Sequence, residues 1–366
     1  MKSQAQALKA SRRWRAMLWS LFAIIILAMA LPSIGYLVAD AAQVYGPERD
    51  FSEERAANPR SEMWRDARFG EGGFTTQTGP YVTNQMIANI GENWRQVRTG
   101  PMTTIGGWFL IAVLVLISLF FAVVGRSRIE GGRSGMTVVR WKGYERFLHW
   151  FTALSFIVLA ITGLSLLFGR YVLIPIVGHS GFAGYAQAAM YVHNFLGPAF
   201  SVGVLFMIVL WAKHNIPNRT DVQWFKQGGG IIGNKHPSAG KMNGGEKVWF
   251  WLGVFTLGLI VIVSGFILDF PNWGFQTREI MAWSQGIHAV AAIIWIGFFF
   301  GHAYIGTLGT EGALEGMTRG RVDTNWAKQH HDLWYEDLIA RGERPVPESE
   351  LEGAKAPSQP AGQSGH

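Results

Sequence analysis

The sequence predicts an all-α integral membrane protein, a four-helix transmembrane bundle preceded by one or two further hydrophobic spans. Three observations carry this. The 366 residues are 49% hydrophobic and only 16% charged, with 45 Gly, 24 Phe and 16 Trp, a composition too apolar for an ordinary soluble domain. The apolar residues come in blocks of the length a bilayer requires, roughly 17–38, 106–124, 147–168, 191–212, 248–268 and 285–306. Four histidines, His149, His193, His288 and His302, stand inside those blocks. An imidazole in hydrocarbon is costly unless it is partnered, so each is a functional candidate from the outset.

The first block follows Lys9, Arg12, Arg13 and Arg15, runs apolar from Met17 to Leu31 and meets Pro32. Ala39-Asp40-Ala41 then presents small residues where a signal peptidase reads, so residues 1–41 are a signal peptide or an N-terminal transmembrane helix. Either way, residues 42–104 fall on the outer side. They are polar, interrupted by Pro47, Pro59 and Pro80, and carry Trp64, Phe69, Phe74, Tyr81 and Trp94, which marks a periplasmic segment that docks on a partner or serves as a spacer. Residues 105–125 form an additional transmembrane helix, 138–340 the four-helix domain, and 341–366 a disordered tail rich in Pro, Ala, Ser, Gly and Glu.

Loop charge orients the four helices. Arg126, Arg128, Arg133, Arg140, Lys142 and Arg146 precede the third block, and Lys213, Arg219, Lys226, Lys235, Lys241 and Lys247 separate the fourth from the fifth. The other two short loops hold one base each, Arg170 and Arg278. By the positive-inside rule the base-rich segments are cytoplasmic, and Arg319, Arg321 and Lys328 put the C-terminus on that side too. The net charge of +7 is therefore a signature of topology, with no patterned face for nucleic acid. With no cysteine, the chain cannot house a Cys-ligated iron–sulfur cluster, a covalently attached c-type haem or a disulfide.

His288 and His302 share one helix fourteen residues apart. At about 100° per residue that separation returns to within roughly 40° of the same face, and at 1.5 Å per residue it covers about 21 Å. The orientation puts His288 and His193 in an outer layer, and His149 and His302 in an inner one. Two bis-histidine haems stacked across the membrane satisfy this pattern, since bundle cores build cofactor sites from facing helices. Zinc prefers four protein ligands or an open polar site. Gly163, Gly197, Gly203, Gly258, Gly265, Gly297 and Gly301 admit either a flat macrocycle or close helix packing. Arg146, one turn before His149, is a membrane anchor or a contact for a haem propionate. His179 in an outer loop, His214 and His236 in a cytoplasmic loop, and His330, His331 and His366 near the C-terminus are read as solvated or interfacial.

The four histidines stand in Arg146-Phe-Leu-His-Trp150, Tyr191-Val-His-Asn-Phe-Leu-Gly197, Gly286-Ile-His-Ala-Val290 and Gly301-His-Ala-Tyr304. With Trp211-Ala-Lys-His-Asn-Ile-Pro217, Gly240-Lys-Met-Asn-Gly-Gly-Glu-Lys247, Gly316-Met-Thr-Arg-Gly-Arg-Val322 and Trp326-Ala-Lys-Gln-His-His331, the stretch 138–338 resembles the di-haem cytochrome b, or γ, subunit of respiratory formate dehydrogenases. The resemblance implies two haem b groups ligated by His149/His302 and His193/His288, in a multi-pass protein of the bacterial inner membrane. It implies two periplasmic partners, a catalytic subunit carrying a molybdenum or tungsten pterin and an iron–sulfur β subunit. Electrons from formate would pass through those clusters, the outer haem and the inner haem to a quinone near the cytoplasm. The family's quinone pocket maps onto Asn243, Gly245, Glu246 and His302, although Asn-Gly-Gly-Glu is also the pattern of a turn that caps a helix. Two other readings stand beside this one: the cytochrome b of a hydrogenase or thiosulfate reductase, and a haem-free membrane anchor.

Overall fold

The computed structural model describes residues 89–230, 235–271 and 277–353, together with Ser20 and residues 23–28. The signal-or-helix choice over 1–41, most of the periplasmic segment 42–104 and the last thirteen residues lie outside the described residues.

Helix dominates because long apolar segments with no water to satisfy them must close their own backbone hydrogen bonds. In chain order come α1 (Asn89–Val97), a π-helical turn at Arg98–Met102 and α2 (Thr103–Val124). There follow β1 (Met136–Val139), α3 (Gly143–Val172), α4 (Ile174–Trp211), α5 (Arg219–Lys226) and α6 (Gly244–Val248). A π-helical stretch, Trp249–Leu257, joins α6 to α7 (Gly258–Asp269). The remainder is α8 (Arg278–Tyr304), α9 (Ala313–Thr318), β2 (Arg321–Asp323), α10 (Thr324–His330), α11 (Asp332–Ala340), β3 (Val346–Pro347) and α12 (Glu348–Gly353).

Among the described residues, five helical runs are long and apolar enough to cross a membrane: Asn93–Val124, Gly143–Val172, Ile174–His214, Gly244–Asp269 and Glu279–Gly309. They coincide with the second to sixth sequence blocks, and the protein is an all-α, multi-pass membrane bundle. The boundaries differ in three places. The end of the segment assigned to 42–104 is already helical from Asn89. The loop expected around His179 is reduced to a kink within α4: two helical pieces meet at Gly178, which is extended with a φ of 73° that a side chain would resist. The first residues of the tail expected from 341 are ordered: Val346–Pro347 pairs with Met136–Thr137, and Glu348 N–H donates to Gly135 O.

The chain forms two compact units. One comprises Met1–Val113, Phe151–Leu205 and Thr256–Gly297. Its helices approach through glycines. A Cβ at Gly203 would stand 2.5 Å from Thr152 Oγ1, and one at Gly297 would stand 2.7 Å from the Phe109 ring. Gly297 therefore serves the packing of α2 on α8, which settles one of the glycines that admitted two readings.

The other unit comprises Leu114–Trp150, Phe206–Phe255 and Phe298–His366. It contains a small sheet in the order β2-β1-β3, antiparallel, with Val138 opposite Val322 and Thr137 opposite Asp323. Val138 and Val322 are buried with Ile129, Trp326, Ala327, Trp334 and Leu338. Asp323 locks this corner: one oxygen caps α10 through Asn325 N–H, and the other accepts from Ser134 N–H, Ser134 Oγ and Gly135 N–H.

Candidate functional site

The four membrane histidines meet in the pairs expected from loop charge. His193 of α4 and His288 of α8 lie in one unit with ring centres 6.1 Å apart and planes at 72°. His149 of α3 and His302 of α8 lie in the other with ring centres 6.2 Å apart and planes at 53°. α8 is continuous from Arg278 to Tyr304, so one helix supplies a member of each pair.

The helices hold the first pair by its Nδ1 atoms. His193 Nδ1 is 2.9 Å from Thr162 Oγ1 on α3, and His288 Nδ1 is 3.1 Å from both Ser264 Oγ and Val261 O on α7. Thr162 and Ser264 escape a reading based on histidine alone; the sequence signal for them is a hydroxyl–glycine dipeptide inside each of two apolar helices, Thr162-Gly163 and Ser264-Gly265. In the second pair, Trp249 stacks on His302 with ring centres 4.6 Å apart and planes within 6°. That tryptophan opens the π-helical stretch, a local widening that recurs at functional sites.

The residues fit a b-type haem. Two metal–imidazole bonds of about 2 Å each, plus the distance from nitrogen to ring centre, place two axial histidine rings about 6 Å apart. Both pairs have that separation. Among the described residues no three His, Cys, Asp or Glu side chains gather as a metal site, so a metal between either pair needs equatorial ligands from a macrocycle. Because their Nδ1 atoms turn to hydroxyl and carbonyl oxygens, Nε2 is the nitrogen with which His193 and His288 would hold a haem iron. His149 Nδ1 is buried without a hydrogen-bond partner among the described residues.

Three of the four quinone candidates, Asn243, Gly245 and Glu246, sit at the start of the helical run that delivers Trp249 to the fourth, His302 on α8. Asn243 and Glu246 form a capping box: Asn243 Oδ1 accepts from Glu246 N–H at 2.9 Å, and Glu246 Oε2 accepts from Asn243 N–H at 2.8 Å. The Asn243 Nδ2 amide takes no part in the cap. A Cβ at Gly245 would stand 3.0 Å from Trp224 Cη2, so this glycine lets Trp224 close over the turn.

Glu246 leads to a buried charge that the topological reading of the bases missed. Arg140 is 5% exposed. Its Nη2 donates to Lys241 O and Glu246 Oε1, each at 3.1 Å, and to His331 Nε2 at 3.0 Å. The guanidinium lies 5.0–5.5 Å from the ring centres of Trp141, Trp326 and Trp334. His331 is 1% exposed, and its Nδ1 donates to Gly240 O at 2.8 Å. The expectation that His331 is solvated or interfacial is thus corrected: α10 and α11 fold back over it. His236 does reach the surface, 2.7 Å from Glu130. Arg146 also has a role inside the fold. It donates to the carbonyls of Met317, Thr318 and Arg319, joined by Trp150 Nε1 on Met317 O, and so closes the C-terminus of α9.

This corner has a pH dependence of fixed sign. Burial and the neighbouring Arg140 charge hold His331 well below its usual 6.5, and burial, then His236 and Arg140, push His330 down to about 4. The folded state therefore binds fewer protons than the unfolded chain below pH 6.5. Stability from these residues is fully present above that pH and is lost as pH falls toward 4. The unfolding midpoint in detergent is expected to be flat above pH 7 and to drop below 6.5, with a shallower drop in His330→Gln/His331→Gln.

Comparisons with known proteins give the family. Residues 140–320 match the family model of prokaryotic cytochrome b561. The chain is 31% identical over 205 residues to the nitrate-inducible formate dehydrogenase cytochrome b556(Fdn) subunit of Escherichia coli K12, covering 55% of this chain and 91% of that protein. It is 30% identical over 204 residues to the formate dehydrogenase cytochrome b556(fdo) subunit of the same organism, covering 55% and 93%. The formate dehydrogenase cytochrome b556 subunit of Haemophilus influenzae is 27% identical over 212 residues, covering 55% and 84%. The chain belongs to the family of formate dehydrogenase cytochrome b556 subunits, membrane cytochromes b of the prokaryotic b561 type.

Proposed function

We propose that the chain relays electrons from formate oxidation to membrane quinone through two b-type haems, one held by His193 and His288, the other by His149 and His302. The observation that supports this best is the presence of two histidine pairs with the ring separation of axial ligation, linked by α8. A bis-histidine haem, when bound, supplies reversible one-electron transfer. The electrons arrive from an iron–sulfur β subunit and a molybdenum or tungsten catalytic subunit, which this chain anchors at the periplasmic face of the bacterial inner membrane. Its C-terminus is cytoplasmic, a reading supported by the loop charges.

The quinone is reduced on the cytoplasmic side, at Asn243, Gly245, Glu246 and His302. Capping and quinone binding are compatible in Asn243, because the cap uses Oδ1 and leaves the Nδ2 amide to donate to a quinone carbonyl. Glu246 can pass a proton inward from the cytoplasm. Inward electron movement works against a membrane potential negative inside, about 2.3 kcal/mol per charge for each 100 mV. Taking the protons from the cytoplasm makes the same reaction help sustain that potential.

The test uses the purified complex, formate and a soluble quinone analogue. Two b-type haems per chain are expected, both reduced by formate and reoxidised by quinone; a complex without a formate-reducible b-type spectrum refutes the reading. An Asn243→Asp variant keeps the cap acceptor and loses the amide donor. Its haems are expected to be reduced by formate normally and reoxidised by quinone at least about tenfold more slowly, the effect of one lost hydrogen bond of about 1.5 kcal/mol.

A further inference from the structure

The His193/His288 pair is held by one device used twice, and the His149/His302 pair is held differently. Thr162 Oγ1 donates its proton to Val158 O at 2.9 Å, with Leu159 O at 3.1 Å, and lies 2.9 Å from His193 Nδ1. Ser264 Oγ donates to Ile260 O at 2.6 Å and lies 3.1 Å from His288 Nδ1. A hydroxyl has one proton to give, and each gives it to its own helix backbone, so toward the imidazole each can only accept. Both imidazoles therefore carry hydrogen on Nδ1. The glycine after each hydroxyl seats the ring: a Cβ would stand 3.3 Å from His193 Cε1 at Gly163 and 3.2 Å from His288 Cε1 at Gly265. The other pair has no such acceptors among the described residues. His149 Nδ1 has no partner there, and the described contacts of His302 are rings, His149 and Trp249.

We propose that Thr162 and Ser264 are positioning residues that set the reduction potential of the His193/His288 centre below that of the His149/His302 centre. The inference rests on the haem reading given under Proposed function. An imidazole that donates from Nδ1 is a more basic, more electron-rich ligand and stabilises the oxidised metal. The apolar helices around it strengthen the effect. Both ligands of one centre are so treated and neither ligand of the other, so the metal at His149/His302 is the better electron acceptor. The drop in energy runs in the direction that the membrane potential opposes, and it is built from two side chains that touch neither metal nor quinone.

The test is a visible-spectrum redox titration of the purified complex in the wild type and in Thr162→Val, Ser264→Ala and Thr162→Ser. The wild type is expected to show two b-type components of different potential. In Thr162→Val the lower component is expected to move up by about tenfold in its reduction equilibrium, 59 mV for one electron, and in Ser264→Ala by a smaller step in the same direction, because Val261 O still accepts from His288 Nδ1, while the upper stays in place. Thr162→Ser keeps the acceptor and is expected to match the wild type. Movement of the upper component, an unmoved lower component in a variant that keeps both haems, or loss of a haem without a shift in Ser264→Ala overturns the proposal. A wild type with fewer than two b-type components refutes the haem reading instead, so the two failures are separable. If Thr162→Val does not assemble, Ser264→Ala decides alone, because its hydroxyl lies on a different helix and faces the other ligand.

Discussion

In a His302→Ala variant the complex is expected to purify with one b-type haem per chain instead of two, and formate-dependent quinone reduction is expected to fall to background. His302 stands 6.2 Å, ring centre to ring centre, from His149 alone among the paired histidines, so under the proposed ligation its removal would take one ligand from one centre and leave the His193/His288 pair, 6.1 Å apart, intact. His193→Ala is expected to do the same to the other centre. Single losses do not prove pairing, but double variants do, because residues that act on one centre are not additive. His149→Ala/His302→Ala is expected to keep one haem, no worse than either single variant. His149→Ala/His288→Ala, with one ligand lost from each centre, is expected to keep none. Haem extraction and quantitation on the purified complexes separates these outcomes. Two haems surviving in a single variant, or none in the first double, refutes the assigned pairs.

The pairs are legible in the amino-acid sequence because a few simple patterns decide them. Hydropathy marks the spans, loop charge gives each helix a direction, and fourteen residues on α8 place His288 and His302 at different depths. What stays hidden in the sequence belongs to the unit that holds His149 and His302, where short polar segments far apart along the chain build a core. Arg140 meets Glu246 106 residues later and His331 191 residues later, and no local pattern announces either contact. β1 has four residues and β2 three, too short for an alternating pattern to register. Arg146 reads equally well as an anchor or a propionate contact; only the fold shows its three donors aimed at the carbonyls ending α9. Asn243-Gly-Gly-Glu246 allows a cap or a pocket, and the backbone shows the cap while leaving the amide that a pocket needs.

Arg140→Met is expected to destabilise the unit that contains it by about 3–5 kcal/mol, the cost of breaking a buried ion pair from one side. Methionine replaces much of the volume between Trp141, Trp326 and Trp334, so the loss reports charge and hydrogen bonding more than a cavity. Without the guanidinium, His331 Nε2 loses its donor, the Lys241 carbonyl loses its partner, and Glu246 Oε1 keeps a carboxylate's charge beside an apolar side chain. Glu246 is 35% exposed at its side chain, so water offsets part of that cost and the lower end of the range applies. Arg140→Lys is expected to recover only part: one nitrogen, Nη2, serves the carboxylate, the carbonyl and the imidazole, yet a compact, strongly hydrated ammonium costs more to bury among three indoles than a planar guanidinium. Arg140→Met/Glu246→Gln is expected to recover more than Arg140→Lys, because it removes the stranded carboxylate while glutamine can still accept from Asn243 N–H. Unfolding midpoints in detergent, followed by tryptophan fluorescence, rank the three variants. A loss below about 1 kcal/mol in Arg140→Met would mean that the pair behaves as a surface ion pair, and a double variant no better than the single would mean that Glu246 is not what the arginine is there to neutralise.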